Sequence, residues 1–147
     1  GISGLLATNG MMVDLSGNQL KIVEHIDTGR VYLDGTLKIG ALDGIIRDRI
    51  KLAINGLVVV NIIIDENDEM LGEPWCEIRG LADYGQSDCN FIDVLEEDLS
   101  QYLGRSSVSL IQDDYKLEKE IKRIILQTAL AEIGKKPEVS VIISRLS

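Results

Sequence analysis

The chain is short of aromatic residues. Trp, Tyr and Phe together make up 4% of its 147 residues, with a single Trp and a single Phe. Any core must therefore be built from Ile, Leu and Val. Cysteine is as sparse: Cys76 and Cys89 are the only two, and they do not form a CxxC pair. That excludes the disulfide-dense scaffold of a small secreted domain and points to a reducing cytoplasm and two free thiols. The one histidine, His25, would need cysteines or several carboxylates beside it to hold zinc, and reads as a solvated strand histidine. No run reaches the roughly 18 to 20 apolar residues a membrane span needs; Leu57–Ile64 is far too short. No membrane partner is therefore expected. The opening Gly1-Ile2-Ser3-Gly4 has neither the basic start nor the apolar stretch of a signal peptide, and no initiator Met, so it reads as a chain cut from something longer.

Basic residues are also in deficit: 15 Lys and Arg against 24 Asp and Glu give a formal net charge of −9. A free-standing nucleic-acid binder would need clustered Lys and Arg for its phosphate contacts. The deficit leaves room for a passive part of a larger nucleic-acid enzyme. Neither GxGxxG nor a P-loop is present, and a single histidine serves no Ser/His/Asp set. Asp65-Glu66-Asn67-Asp68-Glu69 resembles a calcium loop only superficially. An EF-hand places Gly sixth and Glu twelfth, where this chain has Met70 and Cys76. An acidic hairpin tip that discourages edge-to-edge aggregation fits better. Arg47-Asp48-Arg49 reads as an ion-pair cluster rather than a phosphate contact, and Glu96-Glu97-Asp98 as a solvated helix face.

Hydrophobic residues, at 45%, and charged residues, at 27%, are in ordinary globular proportion. Their arrangement changes character between Gly35 and Gly44. Before this point the chain reads as strands and tight turns. Met11–Leu15 and Gln19–Val23 flank Ser16-Gly17-Asn18, a hairpin signal, and Arg30–Leu33 is a further strand closed by Asp34-Gly35. Two or three strands bury no core alone, so this segment needs a sheet it does not contain. After it, Ile46, Ile50 and Ala53 follow helical spacing up to Gly56. Leu57–Asp65 is a β-branched run that predicts a central strand, and Trp75–Asp83 predicts a strand returning antiparallel. Asn90, with Asp93 three residues on, marks a helix start; Phe91, Leu95, Leu99, Tyr102 and Leu103 share one face, and Gly104 stops the helix. A second helix is predicted over Asp114–Ile133, with Leu117, Ile121, Ile124, Ile125 and Thr128 on its core stripe, ended by Gly134 and Pro137. Val139–Leu146 closes the order as a last strand. The fold class is α+β: a small sheet of about three strands with two helices on one face (β-β-α-α-β), preceded by orphan strands.

Several segments together resemble the ribonuclease J family. Thr28-Gly29-Arg30-Val31-Tyr32-Leu33-Asp34-Gly35 resembles the end of that family's metallo-β-lactamase domain, and Asn9-Gly10 ahead of the first hairpin fits it. Ile45-Ile46-Arg47-Asp48-Arg49, Leu52 and Asn55-Gly56-Leu57-Val58-Val59-Val60 resemble its linker and first C-terminal strand. Pro74 with Ile78-Arg79-Gly80, and Lys135-Lys136-Pro137, resemble later motifs. Leu81 stands where a Phe is usual, and the last strand lacks a second Pro. The resemblance implies residues 1–35 as the last metallo-β-lactamase strands, 36–55 as linker and 56–147 as the C-terminal domain. It implies a bacterial, cytoplasmic RNA-processing hydrolase with an inserted β-CASP domain, cleaving RNA internally or from its 5′ end with two zinc ions that activate water. The zinc motifs would lie upstream of Gly1, and no metal, cofactor or catalytic residue carries over to this chain. RNA would be met through the missing domains.

The resemblance also implies a homo-oligomer to which this domain contributes. Leu126, Ala129, Leu130 and Ile133 are expected to cluster opposite the core stripe of the second helix as an oligomer interface. A helix apolar all round is normally covered on both sides, here by a second subunit or, alternatively, by the first helix or the linker folding over it. The alternative function is an independent, non-enzymatic protein–protein interaction module that shares only the fold.

Overall fold

The computed structural model describes residues 4–41 and 43–147, and the chain divides into two units, 1–47 and 48–147. The first unit consists of two antiparallel hairpins. Strand β1 (Met11–Asp14) pairs with β2 (Lys21–His25), with a bulge between Met12 and Val13, and β3 (Val31–Asp34) pairs with β4 (Leu37–Gly40). Apolar side chains stand exposed on these strands, among them Val23, Val31, Leu33 and Leu37. The fourth strand is a departure from expectation. It lies in the stretch read as linker and is folded back on β3 across the Asp34-Gly35 turn, so strand structure does not stop at Gly35. Helix α1 (Gly44–Asn55) follows and has no buried residue.

The second unit holds a mixed three-stranded sheet in the order β6-β5-β7. Strand β5 (Leu57–Ile64) is central, as its largely β-branched run predicts. It is antiparallel to β6 (Trp75–Arg79) and parallel to β7 (Glu138–Arg145). Strand β6 ends short of Asp83 because Gly80 turns to φ +67° and leaves the ladder. Helix α2 (Phe91–Gly104) begins at Asn90, whose side chain accepts the Ile92 N–H at 3.0 Å. A one-turn helix, α3 (Val108–Ile111), is an element the sequence reading lacks. Helix α4 (Asp114–Ile133) starts at Asp113, which accepts the Lys116 N–H, and ends at Gly134 in the left-handed conformation.

Both long helices cover one face of the sheet. Val58, Val60, Ile62 and Ile64 of β5 point into the core, with Cys76 of β6 in register with Val60. Phe91, Leu95, Leu99 and Leu103, each four residues apart, bring α2 down over them; Leu117, Ile121, Ile125, Thr128 and Ala129 do the same for α4. Helix α2 lies on the β6 side and α4 on the β7 side. Fourteen buried apolar groups within a domain of this size make hydrophobic burial the main stabilising term.

Candidate functional site

Polar ties hold this arrangement together, and several fall where the sequence suggests idle surface. Glu96 accepts the Cys76 N–H at 2.7 Å and fastens α2 to β6. Asp98 accepts the Thr128 hydroxyl at 2.6 Å and fastens α2 to α4. Two members of the acidic triplet read as a solvated face are therefore structural. Acidic side chains at i and i+2 point in different directions on a helix, so their partners lie on different elements. The Tyr102 hydroxyl donates to Glu120, whose carboxyl is held low first by the Arg123 guanidinium and then by that hydroxyl. The open groove beside these residues, between α2 and α4, is lined by Asp98, Tyr102, Arg105, Ser107 and Thr128, among others. The Thr128 hydroxyl and the Asp98 carboxylate in its wall are committed to each other as the tie between the two helices.

The other candidates lie on separate elements. His25 is exposed on β2, and Arg47, Asp48 and Arg49 are exposed on α1. The Asp65 carboxylate accepts the N–H groups of Glu69 and Asn67, each at 2.9 Å, which holds its pKa below the usual value and spends its lone pairs on the turn. Among the described residues, no group of three or more His, Cys, Asp and Glu side chains is placed to hold a metal ion. Cys76 is 2% exposed, and burial, with a smaller contribution from Glu96, pushes its thiol up to about 12. The thiolate is the reactive species. One maleimide per folded chain should therefore react, at the exposed Cys89, with Cys76 reacting only after denaturation. Two equivalents taken up by the native chain would show that the β6–α2 seam is not closed.

What remains is surface. The structure divides the four residues expected to form an interface on α4. Ala129 is fully buried against the sheet, so it belongs to the core and not to an outer face. Ile133 and Leu126 are half-buried, with Ile133 packed on the core edge, and Leu130 is 49% exposed. Thr128 marks the side of α4 that faces α2. Leu126 and Leu130, two residues before and after it, lie about 160° around the helix, on the flank turned away from α2. The second surface is the uncovered face of the sheet, where Trp75, Asn61 and Ile142 stand side by side across all three strands. Trp75 is 52% and Ile142 50% exposed, while the Asn61 Oδ1 between them is shielded and has no hydrogen-bond partner.

Fold and surface together define a small α+β domain whose distinctive features are uncovered apolar faces. Comparison with known proteins gives it a family. The sequence profile of the ribonuclease J C-terminal domain matches residues 44–146, and the chain belongs to that family. The match begins on α1, ahead of position 56. Ribonuclease J of Sinorhizobium meliloti is 28% identical over 139 residues, covering 94% of this chain and 24% of the relative. Ribonuclease J of Corynebacterium glutamicum is 26% identical over 121 residues, covering 81% of this chain and 16% of the relative. The chain thus spans a quarter or less of the length of these two relatives.

Proposed function

We propose that this chain is the non-catalytic C-terminal portion of a ribonuclease J-type, zinc-dependent RNA-processing hydrolase of the bacterial cytoplasm. Its role is to join subunits and stabilise the assembly, while the metallo-β-lactamase and β-CASP parts of the parent carry the zinc ions and meet RNA. The observation that carries this reading is the family match over 44–146, which coincides with a self-contained core. The hairpins ahead of it support the same reading. Their strands pair only two by two and expose apolar side chains, as strands from the end of a larger sheet would.

The purified 147-residue chain, supplied with zinc and a 5′-monophosphorylated RNA, should cleave no faster than a buffer control and retain no stoichiometric zinc after dialysis. Zinc-dependent cleavage clearly above that control would overturn the reading. The alternative, an independent interaction module, draws on the open sheet face around Trp75 and Ile142. It separates from the first on the parent gene: a His-x-His-x-Asp-His motif upstream of Gly1 would settle the matter for the hydrolase.

A further inference from the structure

Tyr102 divides two hollows on the helical side of the domain. The larger, about 700 Å³, is the groove between α2 and α4. The other, about 570 Å³, lies between Tyr102, the Ser107–Leu110 segment and the first turns of α4. Tyr102, Ser107 and Leu110 line both, so the two run together as one open trough. Each has the volume of a ligand site, but an open trough suits a strand laid along it better than a small molecule to be enclosed. The divider is held in place. The Tyr102 hydroxyl donates to Glu120 at 2.7 Å, and Arg123, which donates to the same carboxylate, lies over the ring 5.5 Å from its centre. A ring fixed in advance loses little freedom on binding.

Polar groups are sorted along the trough. The smaller hollow holds Lys116 and Lys119, one turn apart on the same side of α4 and near the positive end of that helix. Ser107 and Ser109 line the same hollow. Their hydroxyls share one hydrogen bond at 2.9 Å, which leaves one of the two protons free to donate. Arg105, just past the end of α2, lines the larger hollow. Among the described residues, Arg105 and Lys119 form no ion pair. The acids nearby are committed, Glu120 to Tyr102 and Arg123, and Asp98 to Thr128. Asp98 also stands two turns from Arg105, about 10 Å along α2.

Between these ends the larger hollow presents two amides. Gln101 donates to Glu97, which leaves its carbonyl open, and Gln127 accepts from Arg123, which leaves its amino group open. One free acceptor and one free donor beside the apolar wall of Tyr102 and Leu110 match the edge and face of an unpaired base. Cations and a hydroxyl donor match a phosphate. Single-stranded RNA offers both in alternation, whereas a double helix hides its base edges. An acidic peptide would engage the cations and leave the wall and the amides unused.

Resting on the RNA-processing reading above, we propose that this trough is a secondary track for single-stranded RNA, with phosphates at Arg105, Lys116 and Lys119 and a base against Tyr102 and Leu110. It lies outside the catalytic parts of the parent and holds a strand without cutting it. With so few phosphate contacts the binding is weak and strongly dependent on salt.

Fluorescence anisotropy of a labelled oligouridylate of about ten nucleotides, in EDTA and at low ionic strength, tests this on the 147-residue chain. Binding should be saturable and should fall as salt rises. Arg105→Glu with Lys119→Glu should weaken it at least about tenfold and flatten the log–log salt slope by about 1.4, the loss of two contacts. Both side chains are exposed, and circular dichroism should show a native fold. Lys135→Glu with Lys136→Glu makes the same change of charge away from the trough and should alter affinity by no more than about twofold. On the native chain, the side-chain amide NMR signals of Gln101 and Gln127 should shift as RNA is added, which locates the site without any variant. No saturable binding, equal loss in the two double variants, amide signals that stay still, or polyaspartate binding as tightly as RNA would each overturn the track. None of these results touches the non-catalytic reading, whose test is cleavage.

Discussion

Replacing Phe91 with Ala should lower the stability of the domain by about 3–5 kcal/mol, a large share of the roughly 5–15 kcal/mol that typically holds a domain folded. Phe91 is the only Phe in the chain and is fully buried. It is the first residue of α2, and its N–H donates to the Asp83 carbonyl at 2.8 Å. Its ring therefore fills space where the loop, the helix start and the sheet converge. The buried core around it is aliphatic apart from Cys76, and the aromatic ring packed at its margin, Tyr102, lies three turns further along α2 with its hydroxyl held by Glu120. Most of the vacated volume would remain as a cavity. Urea unfolding at low protein concentration gives the answer, with Tyr115→Ala as the comparison. Tyr115 is 77% exposed, and its loss should change stability by no more than about 0.5 kcal/mol. A Phe91→Ala loss below about 1 kcal/mol would mean that this ring is not where the core closes.

Gly56→Ala should come close behind, at about 2–4 kcal/mol, because two separate costs fall on one atom. Gly56 sits at φ +76° between α1 and β5. Its N–H closes the helix on Leu52, and its carbonyl receives the first β7 bond. An added Cβ would lie 2.6 Å from the Leu81 Cδ2 and 2.8 Å from the Gly80 carbonyl oxygen. The leucine side chain can move away; the carbonyl, part of the β6 exit turn, cannot move without shifting backbone. Gly72→Ala separates the two costs, since Gly72 has φ +79° and nothing within 4 Å of such a Cβ. It should show only the conformational penalty, about 1 kcal/mol. Equal losses at the two positions would show that the Gly56–Gly80 approach is not as close as described.

Where sequence periodicity and burial agree, the fold could be read in advance. The run from Leu57 to Ile64 is apolar except at Asn61, which lies on the face away from the helices, because a central strand with a partner on each side keeps little contact with water. Asn90 caps α2 as its residue type suggests, and Gly134 ends α4 in the conformation glycine favours. The misses have physical reasons as well. The four residues of α3 are too few to show a period. Strand β4 was obscured by Gly35 and Gly40, which read as punctuation, although Asp34-Gly35 is itself a turn-forming pair. Ala129 is the more instructive case. Leu126, Ala129, Leu130 and Ile133 fall at spacings of three and four, so helical geometry alone allows them one face. But α4 is apolar on several sides, and contact with β7 decides which side turns inward. The small Ala129 side chain lets the helix approach the sheet, and this rotates Leu126 and Leu130 outward to the flank. The role of Glu96 and Asp98 was similarly hidden, because nothing local identifies a partner on another element.

The parallel pairing of β5 with β7 also bears on how the protein is made. Asn55 meets Glu138 across 83 positions of sequence, and Asp68 meets Arg145 across 77. Arg145 further binds Asp114 and the Ile111 carbonyl, so one guanidinium gathers the turn after β5, the start of α4 and α3. A ribosome that has released only β5, β6 and α2 has exposed the most apolar strand of the chain with one of its two neighbours still unsynthesised. Loop closure over such distances is slow, and an unpaired β-branched strand is prone to wrong partners. The nascent domain is thus dependent on its last-made strand, and the interval before β7 emerges is when a chaperone would have most to protect.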